Sequence, residues 1–184
     1  MIGNDIIDLT LAETESDWQR RGFLEKQFTS EEQVIIFETK NSFEIVWRIW
    51  SMKEAAYKIY TQQNEERFFA PNKFECELTS EDEGIVRFQN QIFYTSSILD
   101  GSYVFTLACL DKSTKAYSSI GPSYGIDQRI KMKLEEETGL PTSEIEQKKS
   151  KYGAPNYFYK NKPLTKSCSI SHHGNYGVFS IQLT

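Results

Sequence analysis

The sequence predicts an α+β fold in which helices pack against antiparallel β-sheets. Residues 29–64 carry helix signals, namely an N-terminal capping motif and apolar positions spaced three and four residues apart. Residues 73–110 divide into four short β-branched or aromatic segments separated by turn residues, which is typical of an antiparallel meander. A helix followed by further strands is predicted again after residue 125. We therefore expect a single domain, residues 1–184, with two lobes at about 1–111 and 117–184.

Composition indicates a globular protein in a reducing, aqueous compartment. Of the 184 residues, 39% are hydrophobic and 26% are charged, and no apolar run approaches the length of about 20 residues that a membrane helix needs. The stretch MIGNDIIDLT lacks the basic and apolar regions of a secretory signal. Three scattered cysteines argue for reduced thiols, and the net charge of -5 argues against a nucleic-acid partner. We expect a cytoplasmic protein with no membrane contact.

The N-terminal elements follow from local patterns. The stretch IGNDIIDL, residues 2–9, predicts a short strand, and a polar helix is predicted over residues 11–28 with a break at Gly22. Thr29 and Glu32 form a capping box that starts a second helix.

A third helix is predicted to begin near Ser42. Its apolar residues form a core-facing stripe with steps of four and three: Ile45, Ile49, Met52, Ala56 and Ile59. Trp50, Glu54 and Lys58 form a second stripe beside it, at steps of four.

The second half is predicted to follow a linker. Residues 112–125 are rich in Ser, Gly, Pro and Lys, the next helix ends at Gly139, and two or three strands come after it. The meander ends with GSYVFTLACL and the last predicted strand contains GNYGVFSIQL, a shared pattern that suggests two related halves.

Charge is unevenly distributed along the chain. Residues 147–184 contain six lysines, both histidines and no Asp or Glu, so all 26 acidic residues lie in residues 1–146. We expect this segment either to face an anionic partner or simply to keep strand edges soluble.

Asp5, in GNDIID, is the first candidate for chemistry. A carboxylate on an apolar strand is costly to bury without a partner, and Mg²⁺ is one such partner. The alternative is an exposed aspartate on an edge strand.

Glu54, with Lys53 and Lys58, is the second candidate. These charges form either a solvated ion pair on the helix surface or part of a cleft, which the neighbouring Trp50 and Tyr57 favour.

The stretch SISHHG, residues 169–174, is the third candidate. Adjacent histidines on a strand point to opposite faces, so they do not easily bind one metal ion. One histidine beside Ser171 and a glycine, in the basic segment, suits phosphate binding. The alternative is that His172 is a structural side chain.

These stretches together resemble the 4'-phosphopantetheinyl transferase superfamily. Its signatures are Gly-x-Asp, Trp-Ser-x-Lys-Glu-Ala-x-x-Lys and Ser-His-x-Gly. WSMKEAAYK matches the second signature at these residues: Trp50, Ser51, Lys53, Glu54, Ala55 and Lys58. The resemblance extends to QFTSEE, RFFAP, YGAP and GSYVFTLACL, and it covers most of the chain.

The resemblance implies Mg²⁺-dependent transfer of phosphopantetheine from coenzyme A to a serine of an acyl or peptidyl carrier protein. Adenosine 3',5'-bisphosphate would be the other product. Asp5 and Glu54 match the Mg²⁺ carboxylates of the family. Lys58 would neutralise the leaving group or hold a phosphate, and Glu54 is the candidate for activating the serine. The implied catalytic residues are thus Asp5, Glu54 and Lys58.

Coenzyme A is expected to bind downstream residues. Ser171 and His172 match positions that hold its nucleotide phosphates, and Gly153 and Pro155 match the loop beside the adenine. This loop usually has Lys or Arg before the proline, where this chain has alanine. Lys151 is the candidate substitute.

The order of the motifs suggests a permuted protein. Gly-x-Asp comes first, as in the small holo-acyl-carrier-protein synthase type, whereas the length and SISHHG resemble the two-lobed surfactin-synthetase-activating type. We interpret the chain as a permuted two-lobed transferase with two pseudo-related α/β lobes, each an antiparallel sheet with packed helices. A monomer is then expected, and the trimer of the small type is the alternative.

Two departures keep rival hypotheses open. Ile7 stands where the two-lobed type has a third carboxylate, and the loop alanine removes a basic residue. A non-catalytic relative that binds coenzyme A or a carrier protein is one rival, and an interaction domain with a surface Glu–Lys stripe is another. The pathway, fatty-acid or secondary-metabolite biosynthesis, is not indicated.

Overall fold

The computed structural model describes residues 1–64, 68 and 70–184. Within the RFFAP stretch, residues 67 and 69 lie outside this described part. The remainder forms an α+β fold with antiparallel sheets, which confirms the predicted fold class. In the described residues, no helix is long and apolar enough to cross a membrane.

The first part of the chain is built on a five-stranded antiparallel sheet. Its strands are β1 Ile2–Asp8, β2 Glu75–Leu78, β3 Glu83–Phe88, β4 Gln91–Leu99 and β5 Tyr103–Cys109. Their order is β1-β5-β4-β3-β2, so the predicted meander is confirmed and β1 lies antiparallel beside its last strand.

Four helices accompany this sheet: α1 Leu9–Glu15, α2 Phe23–Gln27, α3 Ser30–Glu38 and α4 Ser42–Asn64. The helix predicted over residues 11–28 is present only in part: the expected break at Gly22 is confirmed, but residues 16–21 are not helical either. Asp8 caps the start of α1, the chain leaves the helix at Ser16, and Gly22 adopts a left-handed conformation (φ 80°) before α2. The predicted capping box is confirmed, since Thr29 Oγ1 accepts from the Glu32 amide and the Glu32 carboxylate accepts from the Thr29 amide.

Helix α4 packs its apolar stripe onto one face of the sheet. Ile49, Met52, Ala56 and Ile59 are fully buried there, whereas Ile45 is only half-buried. Strand β1 crosses very near this helix, because a side chain at Gly3 would collide with the Ala55 carbonyl oxygen. This close approach brings Asp5 of β1 next to Lys58 in the polar stripe of α4.

The second part of the chain contains two three-stranded sheets and one helix. Its elements are β6 Tyr117–Pro122, α5 Ile126–Thr138, β7 Ile145–Lys149, β8 Pro155–Tyr159, β9 Lys162–Pro163, β10 Thr165–His173 and β11 Tyr176–Leu183. The sheet orders are β10-β11-β6 and β7-β8-β9. The predicted end of the helix at Gly139 is confirmed. After this helix the chain forms the strands β7 to β11, which is more than the two or three expected.

The predicted linker over residues 112–125 is wrong in its middle. Residues 117–122 form β6, an edge strand paired with β11. The ring of Tyr117 packs 5.9 Å from that of Phe179, and the Ser118 and Ser180 hydroxyls lie 2.8 Å apart. These partners are more than 60 residues away, so the local Ser and Gly content conceals the strand.

The two parts meet along β1 and β5. Ile6 and Phe105, on the sheet face opposite α4, pack against Val178 of β11. The strands with the shared Gly-x-Tyr pattern, β5 and β11, each lie between two partner strands. The kinship of the two lobes and their permutation stay predictions.

Candidate active site

Strands β1 and β10 belong to different sheets and are joined by side chains. The amides of Ile2, Asn4 and Asp8 donate, each at 3.0 Å, to Ser167 Oγ, Ser169 Oγ and His173 Nδ1 respectively. These acceptors alternate along β10 and so project from one side of it toward β1. The alternating serines of SCSIS could have indicated this contact, but the sequence reasoning did not use them.

Asn4 is the buried centre of this junction. Its Nδ2 donates to the Ser169 carbonyl at 3.0 Å and to Ser180 Oγ at 2.9 Å. Its Oδ1 accepts from Ser169 Oγ at 2.9 Å. The side chain is therefore fixed by partners from the second part of the chain.

Lys58 reaches from α4 into the same junction. Its Nζ donates to the Asn4 carbonyl oxygen at 2.7 Å and to Ser171 Oγ, and it lies 3.5 Å from Asp5 Oδ1. Burial raises the pKa of Asp5, although the charge of Lys58 and the nearby Ser51 hydroxyl act to lower it. The carboxylate thus has a desolvated position with a single lysine beside it.

Glu54 lies one helical turn before Lys58. Its pKa is raised to about 7, first because the side chain is buried and second because Asp5 is negatively charged nearby, while Lys58 opposes the shift. Asp5 and Glu54 line one cleft of about 280 Å³, together with Trp47, Trp50 and His172. The second stripe of α4 therefore faces a cleft rather than open solvent.

Both histidines of SISHHG border this cleft. His172 is exposed. His173 is half-buried and accepts the Asp8 amide hydrogen bond, which holds its Nδ1 in the acceptor state.

A second cleft of about 170 Å³ lies on the other side of Lys58. It is lined by Thr61 and Gln62 of α4, by residues 168–170 of β10 and by residues 152–155, which contain Gly153 and Pro155. Lys151 is exposed and does not line either cleft; its Nζ lies 5.3 Å from the Tyr152 ring centroid.

The structure thus places most of the predicted site residues around Lys58. Asp5, Glu54 and His172 line one cleft, Lys58 lies beside Asp5 and lines the second cleft, and Ser171 is buried in contact with Lys58. Ile7 lines the first cleft as well.

The Asp8 carboxylate does not line this cleft. It accepts hydrogen bonds from the Leu11 and Asn175 amides, both at 3.1 Å. These bonds outweigh the effect of burial and lower the pKa of Asp8.

The cleft offers two carboxylates, those of Asp5 and Glu54, to a hard divalent cation. Among the described residues, no group of three or more His, Cys, Asp or Glu side chains is arranged to hold a metal ion. Asp5 and Glu54 do form a pair of oxygen ligands whose mutual repulsion a cation would relieve. Mg²⁺ commonly binds one or two carboxylates and completes its shell with water and phosphate oxygens, so the pair fits it.

Comparison with known proteins identifies the class. The family model of the 4'-phosphopantetheinyl transferase superfamily matches residues 1–108, more than half of the chain. The chain therefore belongs to the 4'-phosphopantetheinyl transferase superfamily. It is also similar to the crystal structure of holo-acyl-carrier-protein synthase from Thermotoga maritima, with 14% identity and a TM-score of 0.47 over 88% of this chain and 83% of that one. No curated protein matches the chain.

Proposed function

We propose that the protein transfers the 4'-phosphopantetheine group of coenzyme A to a serine of an apo-acyl or peptidyl carrier protein, releasing adenosine 3',5'-bisphosphate. The observation that carries this proposal is that Asp5 and Glu54 line one cleft, with the Lys58 ammonium 3.5 Å from Asp5, in a chain of this superfamily. A surface ion pair would instead leave Glu54 solvated and its pKa near the usual value.

Asp5 and Glu54 would hold Mg²⁺. When bound, this ion would neutralise negative charge on the pyrophosphate. Lys58, whose ammonium lies between the two clefts, would stabilise the charge that develops on the leaving nucleotide. Fixed positive charge of this kind acts most strongly in a partly desolvated site.

Glu54 is our proposed proton acceptor for the carrier serine. Its carboxylate lines the cleft beside Asp5, where the hydroxyl of the carrier serine would have to enter. The serine oxygen would attack phosphorus, the bond to the bridging oxygen would break, and the serine proton would pass to Glu54.

Coenzyme A is proposed to extend across both clefts. Gly153 and Pro155 would lie beside its adenine, and His172 would contact its phosphates. Lys151, exposed directly before the loop residues 152–155 of the second cleft, would supply the basic contact that the loop alanine lacks. Ser171 would help to hold the phosphates by fixing Lys58, because its hydroxyl contacts that ammonium. We further propose a cytoplasmic monomer of the holo-acyl-carrier-protein synthase type that serves fatty-acid or secondary-metabolite synthesis.

Mass spectrometry of apo-carrier proteins incubated with the protein, coenzyme A and Mg²⁺ tests the proposal. We expect a mass gain of one phosphopantetheine group, with adenosine 3',5'-bisphosphate formed in equal amount. The gain should vanish with a chelator and with Glu54→Gln, and it should persist with Glu44→Gln in the first turn of the same helix. If none of the acyl or peptidyl carrier proteins is modified, the proposal is overturned.

Ile7 in the cleft favours a second candidate, a relative that binds coenzyme A or a carrier protein without transfer. The same incubation, followed by calorimetry with coenzyme A, separates the two. Binding without a mass gain would support this second candidate.

A further inference from the structure

Lys58 is held mainly by neutral oxygens. Its Nζ is 2.7 Å from the Asn4 carbonyl oxygen and in contact with Ser171 Oγ, whereas Asp5 Oδ1 is 3.5 Å away. The distance to the carboxylate is long for a charge-assisted hydrogen bond, so the two neutral acceptors fix where the ammonium lies.

The Ser171 hydroxyl can accept a hydrogen bond from Lys58 only when its own proton points away from the ammonium. It has a single proton, and both the Asn4 carbonyl oxygen (2.8 Å) and Asn4 Oδ1 (3.0 Å) are positioned to accept it. When that proton points to Asn4, a lone pair of the serine oxygen points to Lys58. Both acceptors of this proton belong to Asn4, one on its backbone and one on its side chain, so Asn4 turns the serine lone pair toward the ammonium.

The orientation of the Asn4 amide is itself determined by its surroundings. Nδ2 faces the Ser169 carbonyl oxygen, which can only accept, and also Ser180 Oγ. Turning the amide over would place Oδ1 against that carbonyl, which is repulsive. The Asn4 side chain is fully buried, so water cannot compensate.

We propose that Asn4 is a positioning residue, which fixes Lys58 for catalysis by orienting Ser171 and anchoring β1 to β10. The proposal rests on the function proposed above for Lys58. It concerns the middle residue of Gly-x-Asp, a position that the family signature leaves open. An alanine there would remove the amide group that Ser169 and Ser180 share, and it would leave Ser171 with the backbone carbonyl oxygen as its remaining acceptor at this residue.

Steady-state kinetics of Asn4→Ala provide the first test. We expect kcat to fall about 10- to 100-fold, because small misplacement of a catalytic group is costly, with KM for coenzyme A and carrier nearly unchanged. Thr165→Val is the matched control, since it removes a buried hydrogen bond, from the Tyr157 amide, at the other end of β10 and outside the Asn4 network. It should lower thermal stability and leave kcat unchanged. Equal kcat values for Asn4→Ala and the wild type would overturn the proposal.

A double-mutant cycle tests whether Asn4 acts through Ser171. If both residues fix the same ammonium, Asn4→Ala combined with Ser171→Ala should be no slower than the slower single variant. Losses that multiply would show that Asn4 affects the reaction independently of Ser171, and would overturn the proposal.

The mobility of the Lys58 side chain can be measured without any transfer activity, so it tests this inference independently of the proposed function. In protein with isotope-labelled lysine, NMR relaxation of the Lys58 side chain, assigned with Lys58→Arg, should show higher mobility in Asn4→Ala than in the wild type or Thr165→Val. A wild type that modifies no carrier would refute the proposed function, and the NMR result would still decide the positioning role. Unchanged Lys58 order in a folded Asn4→Ala would refute that role.

Discussion

Lys53 Nζ and Glu32 Oε2 lie 2.6 Å apart in the interior, each with a side chain only 1% exposed. The pair connects α4 to the start of α3, where the Glu32 carboxylate also accepts the amides of Thr29 and Cys76. Lys53 donates in addition to the Pro71 carbonyl oxygen at 3.0 Å. The first lysine of WSMKEAAYK is therefore part of the core, whereas the second, Lys58, faces the clefts.

Removing Lys53 should destabilise the protein strongly. Lys53→Met leaves the Glu32 carboxylate buried without its counter-ion, which typically costs about 3–5 kcal/mol of unfolding free energy. Arg87→Met is the matched control, because Arg87 and Glu77 form an exposed pair whose loss should cost less than about 1 kcal/mol. Urea unfolding of both variants measures the difference, and similar losses would contradict the structural role of Lys53.

Ser169→Ala should weaken the junction between the two parts of the chain. It leaves the buried Asn4 amide without the Ser169 acceptor and removes one of the two serine donors to Asn4 Oδ1, at a cost of about 1–3 kcal/mol. Ser113→Ala, in an exposed turn, should change the unfolding free energy by less than about 0.5 kcal/mol.

The same unfolding experiments test whether the chain is one cooperative domain. All three tryptophans, Trp18, Trp47 and Trp50, lie in the first part, so their fluorescence reports on that part alone. We expect the fluorescence transition to coincide with the far-UV circular dichroism transition. Separate midpoints in the wild type would contradict a single domain.

Asp8 should make stability depend on pH in the acid range. Burial acts to raise its pKa, but hydrogen bonds from the Asn175 and Leu11 amides and the nearby His173 lower it overall. The carboxylate therefore contributes stability that is complete above the unfolded pKa of 3.8 and is lost as pH falls through the folded pKa.

Asp8→Asn, which lacks this charge, should be less stable than the wild type at pH 7 by about 1–2 kcal/mol. The difference should shrink below about pH 4, when the wild-type carboxyl becomes protonated. Urea unfolding between pH 7 and pH 3 measures it. A constant difference down to pH 3 would contradict the assigned contacts of Asp8.

The two adjacent histidines should have different effects when they are replaced. His172→Ala is expected to weaken coenzyme A binding without loss of stability, because its side chain is exposed in the cleft. His173→Ala is expected to lower the melting temperature, because it removes the acceptor for the Asp8 amide. Calorimetry with coenzyme A and thermal unfolding together measure both effects; equal losses of affinity would refute the proposed role of His172.

Light scattering should report a monomer. Lys58 contacts residues of β1 and β10 in the same chain, so the cleft does not require a neighbouring subunit. A stable trimer would refute the permuted two-lobe interpretation.

The sequence by itself determined the features that depend on near neighbours. The spacing of Ile49, Met52, Ala56 and Ile59 predicted the buried face of α4, and the Thr29–Glu32 capping box predicted the start of α3. Motif chemistry drew attention to Glu54, which the cleft contains. These signals are local because helix periodicity and capping involve residues three to four positions apart.

Only the tertiary structure decided which residues surround Lys58. Asn4 and Ser169 are separated by 165 positions, and Ser171 is 113 positions from Lys58, so no periodicity connects them. The strand at residues 117–122 was missed for the same reason, since its partners lie in β11. Buried polar groups must find hydrogen-bond partners wherever the fold brings them, and that requirement decided the partners of Asn4.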